Sequence, residues 1–284
     1  MNTTETSSSP ELGKSLALPG LRVNYHDRGE GRPLLLVHGS GPGVSAWANW
    51  RGVIDELSCH HRVIAPDMAG FGYTAFDPGT SFDIDHWVGQ VIGVLDALEL
   101  EQVDLLGNSF GGGIALHVAR RHPERVRRLV LMGAVSVSFP LTEGLDMVWG
   151  YTPSIDNMRR LMGVFAWDQS LTTESLVRLR YEASIQRGMD KVYESLFPAP
   201  RQRWVDMLAQ PEEELARIDN PTLILHGRDD KVIPLEASLR LLRILKNADL
   251  TVFGNCGHWT QIEKRREFVH AVLEFLAAPA KEQA

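Results

Sequence analysis

Cysteine is nearly absent from this chain, with only Cys59 and Cys256 among 284 residues. Two thiols so far apart provide neither a disulfide framework nor the paired spacing of a metal knuckle, so both are expected to stay reduced, and no metal or other cofactor is expected. A basic excess is also lacking. Lys and Arg total 29 against 36 Asp and Glu, a formal net charge of -7, which argues against a nucleic-acid partner, because such binding draws on clustered cations facing phosphates. Any anionic ligand must therefore be held by local positive charge. No apolar stretch is long enough to span a bilayer, and residues 1–10 are polar, without the basic start and apolar core of a secretory signal. The expectation is a soluble, cytoplasmic protein with a disordered tip over residues 1–10 and no membrane partner. No internal repeat occurs, which excludes an array of repeated units.

What is present is an ordinary globular composition, 44% hydrophobic and 23% charged, at a length suited to one large core carrying an insertion. Residues 21–27 and 33–38 read as strands joined by the Gly29-Glu30-Gly31 turn. The second contains the unbroken run Leu34-Leu35-Leu36-Val37, the pattern of a strand buried on both faces. Residues 62–66 give another strand, and Ile84, Trp87, Val88, Val91, Ile92, Leu95 and Leu98 then follow helical spacing. Residues 103–106 read as strand, 112–121 as helix and 126–132 as strand. Towards the C-terminus the same alternation gives strands over 221–225 and 250–253 and helices over 235–245 and 262–276. Such alternation predicts the α/β class, a mostly parallel central sheet with helices on both faces. Residues 136–210 break it: they lack strand-like runs and are rich in aromatics, from Phe139 to Trp204. The expected division is a core of residues 11–135 and 211–284 with a helical lid over 136–210, placed where an apolar cover makes a ligand pocket.

The strongest local signal is Gly107-Asn108-Ser109-Phe110-Gly111, a G-x-S-x-G motif between a strand and an apolar helix. A serine on so sharp a turn is exposed and strained, and the glycines on either side avoid clashes. The setting resembles the nucleophile elbow of the α/β-hydrolase fold. There the next amide, that of Phe110, points at a developing oxyanion. A base is required, and His258 follows the last strand through Gly254-Asn255-Cys256-Gly257, where a sheet of this kind presents catalytic groups. It also comes last in the order Ser, Asp, His. Asp229 and Asp230 both follow the strand before it, and only one of two adjacent side chains can face His258 and orient it. A second oxyanion donor is expected from the glycine-rich stretch His38-Gly39-Ser40-Gly41-Pro42-Gly43, at Ser40 N–H. His38 is read as fixing that loop.

The pattern Gly227-x-x-Asp230-x-x-x-Pro234 resembles the acidic loop of α/β-hydrolases and implies Asp230 as the third member. Five longer segments, HGSGPGVSAWANW, APDMAGFGYT, GNSFGG, FPAPRQRWVD and NCGHWTQIE, together resemble the meta-cleavage product hydrolases, carbon–carbon bond hydrolases of bacterial aromatic degradation. The lid segments SVSFPLTEGLDMVWGY and FPAPRQRWVD resemble the branch acting on ring-fission products of single-ring catechols, such as 2-hydroxymuconate semialdehyde. The stretch AFDPGTSF departs from the more polar sequence common in relatives. The resemblance implies a small-molecule dienoate as substrate, Arg180 on its carboxylate, Asn49, Asn108 and Trp259 as further substrate contacts, and a homo-oligomer, dimer or larger. Serine rather than aspartate at the elbow argues against dehalogenases and epoxide hydrolases. An ordinary carboxylic-ester hydrolase and a noncatalytic ligand-binding protein on the same fold remain the alternatives.

Overall fold

A computed structural model describes residues 9–278; positions 1–8 of the expected N-terminal tip lie outside the described residues. Nine strands form one sheet: β1 (Lys14–Leu18), β2 (Leu21–Arg28), β3 (Pro33–Val37), β4 (Arg62–Pro66), β5 (Ala75–Phe76), β6 (Val103–Asn108), β7 (Val126–Met132), β8 (Thr222–Gly227) and β9 (Ala248–Phe253). Their order is β1-β2-β4-β3-β6-β7-β8-β9, with β5 paired to β2. From β4 to β9 every pairing is parallel, while β1, β2 and β5 pair antiparallel.

The period-2 rule explains why the central strands read as unbroken apolar runs. Leu35 and Val37 of β3 face one core layer with Leu105, Leu129 and Leu131, whereas Leu34 and Leu36 face the other with Leu106, Val130 and Met132. Helices cover both faces, so neither parity is left polar. Two short antiparallel strands, β1 and β5, escape the sequence reading: β1 has mostly exposed or half-buried residues and β5 has two residues. The turn at Gly29 joins β2 to β3 without pairing them, because β4 lies between the two. Gly29 is at φ 76°, and a Cβ there would meet the Ser58 carbonyl oxygen at 2.3 Å. The last predicted helix is broken in two, Thr260–Glu263 and Arg265–Ala277, at Lys264 with φ -124°.

Between β7 and β8 the α-helices are Glu143–Trp149, Ile155–Phe165, Glu174–Ile185, Met189–Leu196, Gln202–Leu208 and Glu212–Leu215. The first three begin at Thr142, Ser154 and Thr173, whose hydroxyls accept from the amides of Leu145, Asn157 and Leu176, the capping that starts a helix in water. Among the described residues no helix is long and apolar enough to cross a membrane. The topology brings four loops to one edge of the sheet, those following the C-terminal ends of β3, β6, β8 and β9. They carry Ser40, Ser109, Asp230 and His258 respectively, and they open beneath the inserted helices.

Candidate active site

Ser109 sits between β6 and the helix Phe110–Arg121 at φ 55°, ψ -113°, a backbone conformation that costs about 1–3 kcal/mol for a residue with a side chain. The surroundings over-determine it. Its amide donates to Met132 O (2.8 Å), and its carbonyl accepts from Gly112, Gly113 and Val135 N–H. The flanking glycines are obligatory: a Cβ on Gly107 would lie 2.4 Å from Gly111 O, and one on Gly111 would lie 2.3 Å from Val37 O.

His258 and Asp230 form a close pair, Nδ1 to Oδ2 at 2.7 Å, both side chains being buried. The other Asp230 oxygen accepts from Val232 and Ile233 N–H at 2.7 and 3.0 Å. Burial pushes the Asp230 carboxyl up, but His258, His226 and the loop amides outweigh it and hold the group below its ordinary value. Asp229 points elsewhere, accepting weakly from Cys256 N–H and Arg228. Ser109 and His258 line the same cavity. Among the described residues no hydrogen bond joins the Ser109 hydroxyl to His258, a link that commonly tightens only when substrate is bound.

The amides of Ser40 and Phe110 donate to no protein acceptor among the described residues, the state needed of two donors kept for a ligand. Ser40 is fastened by its other atoms. Trp149 Nε1 donates to Ser40 Oγ (2.9 Å), and the Tyr193 hydroxyl donates to Ser40 O (2.8 Å). His38 does fix this region: its Nδ1–H donates to Gly39 O (2.7 Å) while Nε2 accepts from Met68 N–H (2.9 Å). Full burial depresses its pKa to about 4, which keeps the ring neutral, as an accepting Nε2 requires.

Arg180, on the helix Glu174–Ile185, reaches the same cavity. Its guanidinium donates to Pro42 O (3.2 Å) and has no carboxylate at ion-pair distance among the described residues. Burial lowers its pKa, with partial relief from Glu11. Asn108 Nδ2 donates to Asn49 Oδ1 (2.9 Å), which also accepts from Gly39 N–H (3.3 Å). That amide fixes the orientation of both side chains and leaves Asn49 Nδ2 and Asn108 Oδ1 buried without partners among the described residues. A ligand offering both an acceptor and a donor would satisfy them. Trp259 stacks on Phe165 (5.1 Å, 17°), which in turn stacks on His258 (5.9 Å, 23°). Leu145, Val148, Met158, Leu161, Met162 and Val232 make the remaining wall apolar, and the cavity volume is about 50 Å³.

Three further residues brace this site and escape the sequence reading. Besides Trp149 and Tyr193 there is Glu263, whose carboxylate accepts from Gly257 N–H (2.8 Å) on one oxygen and from Trp167 and Asp168 N–H (2.8 and 2.9 Å) on the other. It joins the His258 loop to the inserted segment, as does the bond from His258 N–H to Phe165 O (2.7 Å). The sequence signals for Glu263 are its place five residues after His258 and at the end of the segment NCGHWTQIE.

Residues 32–265 match the family model of the alpha/beta hydrolase fold. A 2-hydroxy-6-oxo-2,4-heptadienoate hydrolase from Pseudomonas putida strain F1 is 57% identical over 273 residues, 96% of this chain and 99% of the relative. A 2-hydroxymuconate semialdehyde hydrolase from Pseudomonas sp. strain CF600 is 56% identical, covering 95% of each chain. Among solved structures, a serine-to-alanine mutant of the meta-cleavage product hydrolase from Pseudomonas fluorescens IP01, complexed with acetates, superposes with a TM-score of 0.93. It is 55% identical and the match covers 94% of this chain and 98% of that one. On its fold, and on identity sustained over nearly its whole length, the chain belongs to the α/β-hydrolase family and, within it, to the meta-cleavage product hydrolases.

Proposed function

We propose that this protein hydrolyses the C5–C6 carbon–carbon bond of 2-hydroxy-6-oxohexa-2,4-dienoate (2-hydroxymuconate semialdehyde) or a 6-alkyl homologue, giving 2-hydroxypenta-2,4-dienoate and a carboxylic acid. One observation carries the reading. Arg180 is a half-buried cation with no carboxylate at ion-pair distance among the described residues, in the cavity that also holds Ser109 and His258. Removing such a charge from water in part has a cost, and a substrate with a carboxylate at one end and a carbonyl at the other supplies an anion within its reach. An ordinary ester hydrolase has no use for that charge.

The chemistry assigns a task to each group. Breaking C5–C6 leaves an electron pair on carbon, so the dienol must first become a ketone: the 2-hydroxyl proton is lost and C5 gains one. His258 is the shuttle, a step whose positioned acid–base catalysis contributes about 10²–10⁴-fold. Addition at C6, by Ser109 or by a water it activates, then puts negative charge on the C6 oxygen, facing the Ser40 and Phe110 amides. Collapse sends the C5–C6 electrons into the conjugated ketone, which takes up a proton as the product dienol, and one water is consumed overall. Asp230 holds the imidazole and stabilises its charged form. Asn49 and Asn108 have the free donor and acceptor for the enol end, with Trp259 beside them.

The cavity of about 50 Å³ is roofed by the inserted residues 136–210, which in this reading act as a lid that moves outward to admit the dienoate. The test is spectrophotometric: the yellow dienoate should bleach with the purified protein and not with Ser109→Ala. Fast turnover of p-nitrophenyl esters with an unchanged dienoate spectrum would instead favour the carboxylic-ester hydrolase, and binding without any turnover a noncatalytic protein. The same reading includes a cytoplasmic homo-oligomer; light scattering giving the mass of a single 31.7 kDa chain would overturn that part.

A further inference from the structure

Ser40 lies in a stretch with little stiffness of its own. Gly39 and Gly41 flank it, and glycine restricts φ and ψ least of all residues. On its N-terminal side the chain is tied at Gly39, whose amide reaches Asn49 at 3.3 Å, and on its C-terminal side at Gly41, whose carbonyl accepts from Val44 N–H. The atoms of Ser40 itself are held from one direction only. Trp149, the last residue of the helix Glu143–Trp149, grips Oγ, and Tyr193, on the helix Met189–Leu196, grips the carbonyl oxygen.

The two gripping residues are themselves locked together. Tyr193 shares its hydroxyl hydrogen between Ser40 O and Val148 O, each at 2.8 Å, and Val148 immediately precedes Trp149. Phe197 stacks on the Trp149 indole (4.8 Å, 14°) and meets the Tyr193 ring edge-on (6.2 Å, 67°). Ser40, Trp149 and Tyr193 are all buried, so water does not compete for these bonds. A bond to Oγ fixes the side-chain rotamer and a bond to the carbonyl fixes ψ, so the two clamp residue 40 from the roof. Its N–H lies in the peptide plane shared with Gly39 O, which accepts from His38 Nδ1–H, and the clamp sets where that plane is held against the cavity.

We propose that Tyr193 and Trp149 are positioning residues for the oxyanion donor: from the inserted helices they aim the Ser40 amide at the reacting oxygen, and only while those helices are seated. This rests on the reading of Ser40 as a donor for carbon–carbon hydrolysis. Donor geometry is then a property of the closed lid, and the transition state is stabilised only after the substrate has been enclosed.

The test uses the full chain with Tyr193→Phe, Trp149→Phe, Ser40→Ala and the Trp149→Phe/Ser40→Ala pair. It measures kcat and KM on 2-hydroxymuconate semialdehyde and the inhibition constant of n-butylboronic acid. In that adduct the Ser109 oxygen bonds to boron, the hydroxyl proton passes to His258, and a boron-bound oxygen enters the hole. Tyr193→Phe should lower kcat about tenfold, part of the about 10²–10³-fold that a lost donor costs. The boronate constant should rise by a similar factor and KM should stay within about twofold. Trp149→Phe should act in the same direction, and its effect should vanish in the Ser40→Ala background, where no Oγ is left to hold. Unchanged kcat and boronate binding, KM and kcat worsening together, or full additivity of Trp149→Phe with Ser40→Ala would overturn the proposal. If Tyr193→Phe does not fold, the Trp149–Ser40 cycle decides alone. Failure of the underlying reading is separate: wild type would then leave the dienoate spectrum unchanged, whatever the variants do to boronate binding.

Discussion

Arg180→Gln removes a charge while keeping a long side chain whose amide still reaches towards Pro42 O, now 3.2 Å from the guanidinium. The loss can be worked from the contacts. A carboxylate held by the guanidinium fork makes two charge-assisted hydrogen bonds, each contributing about 1.5–3 kcal/mol. The glutamine amide and entering water recover roughly one of them, so the net loss is about 1.5–3 kcal/mol, or about 10- to 150-fold in kcat/KM. The carboxylate is bound equally in ground and transition states, so most of the loss should appear in KM. The assay follows bleaching of the dienoate chromophore at graded concentrations, alongside hydrolysis of neutral p-nitrophenyl acetate by the same preparations. Ester turnover should change by less than about threefold, since Arg180 contributes no hydrogen bond to a neutral ester. Because Arg180 is half-buried, the discrimination should weaken only in part at about 0.5 M salt, where a fully exposed pair would be screened. Equal losses on dienoate and ester, or a dienoate loss below threefold, would refute the carboxylate role and remove the strongest support for carbon–carbon hydrolysis.

Asp230→Asn should lower dienoate kcat by about 10²–10⁴-fold, because an amide cannot stabilise the imidazolium and presents the wrong partner to Nδ1; a steady-state loss under tenfold would remove it from the mechanism. For His38 the ordinary pKa is 6.5 and the folded value is about 4. The unfolded chain therefore binds the extra proton first, and stability from this residue is full above pH 6.5 and drains away as pH falls towards 4, by about 3 kcal/mol in all. Urea unfolding should show the gap between wild type and His38→Gln shrinking by about that amount from pH 7 to pH 4; a constant gap would contradict the assignment. Glu263→Gln replaces a carboxylate that accepts from Gly257, Trp167 and Asp168 amides by a group with one accepting oxygen. Thermal unfolding should fall by an amount equivalent to about 1.5–3 kcal/mol, and kcat should fall with it as the His258 loop loosens; wild-type values for both would show that the bridge has no role.

The parts legible in the sequence are those set by short-range rules. The elbow is legible because the backbone at Ser109 is held at φ 55° by sterics that demand glycine two positions away on each side, and β3, β6 and β7 are legible because a doubly covered strand has no polar face. The loops of His258 and of the Asp229-Asp230 pair are legible because parallel strands deliver their C-terminal ends to one edge, while the choice of Asp230 within the pair comes from the resemblance of its loop. What could not be read is what ties those loops to the roof. Ser40 and Trp149 are 109 residues apart and Ser40 and Tyr193 are 153 apart, and no periodicity records a contact across such a distance. To composition and spacing, Trp149 and Tyr193 are two aromatics among many. The same fastenings recur at the base: His258 is held through Phe165 O and Gly257 through Glu263, which also grips Trp167 and Asp168. On the proposed function these fastenings tie the Ser40 and His258 loops to the same inserted segment, so an outward movement of that segment to admit the dienoate would release the proposed oxyanion donor and base together, and its return would restore them together.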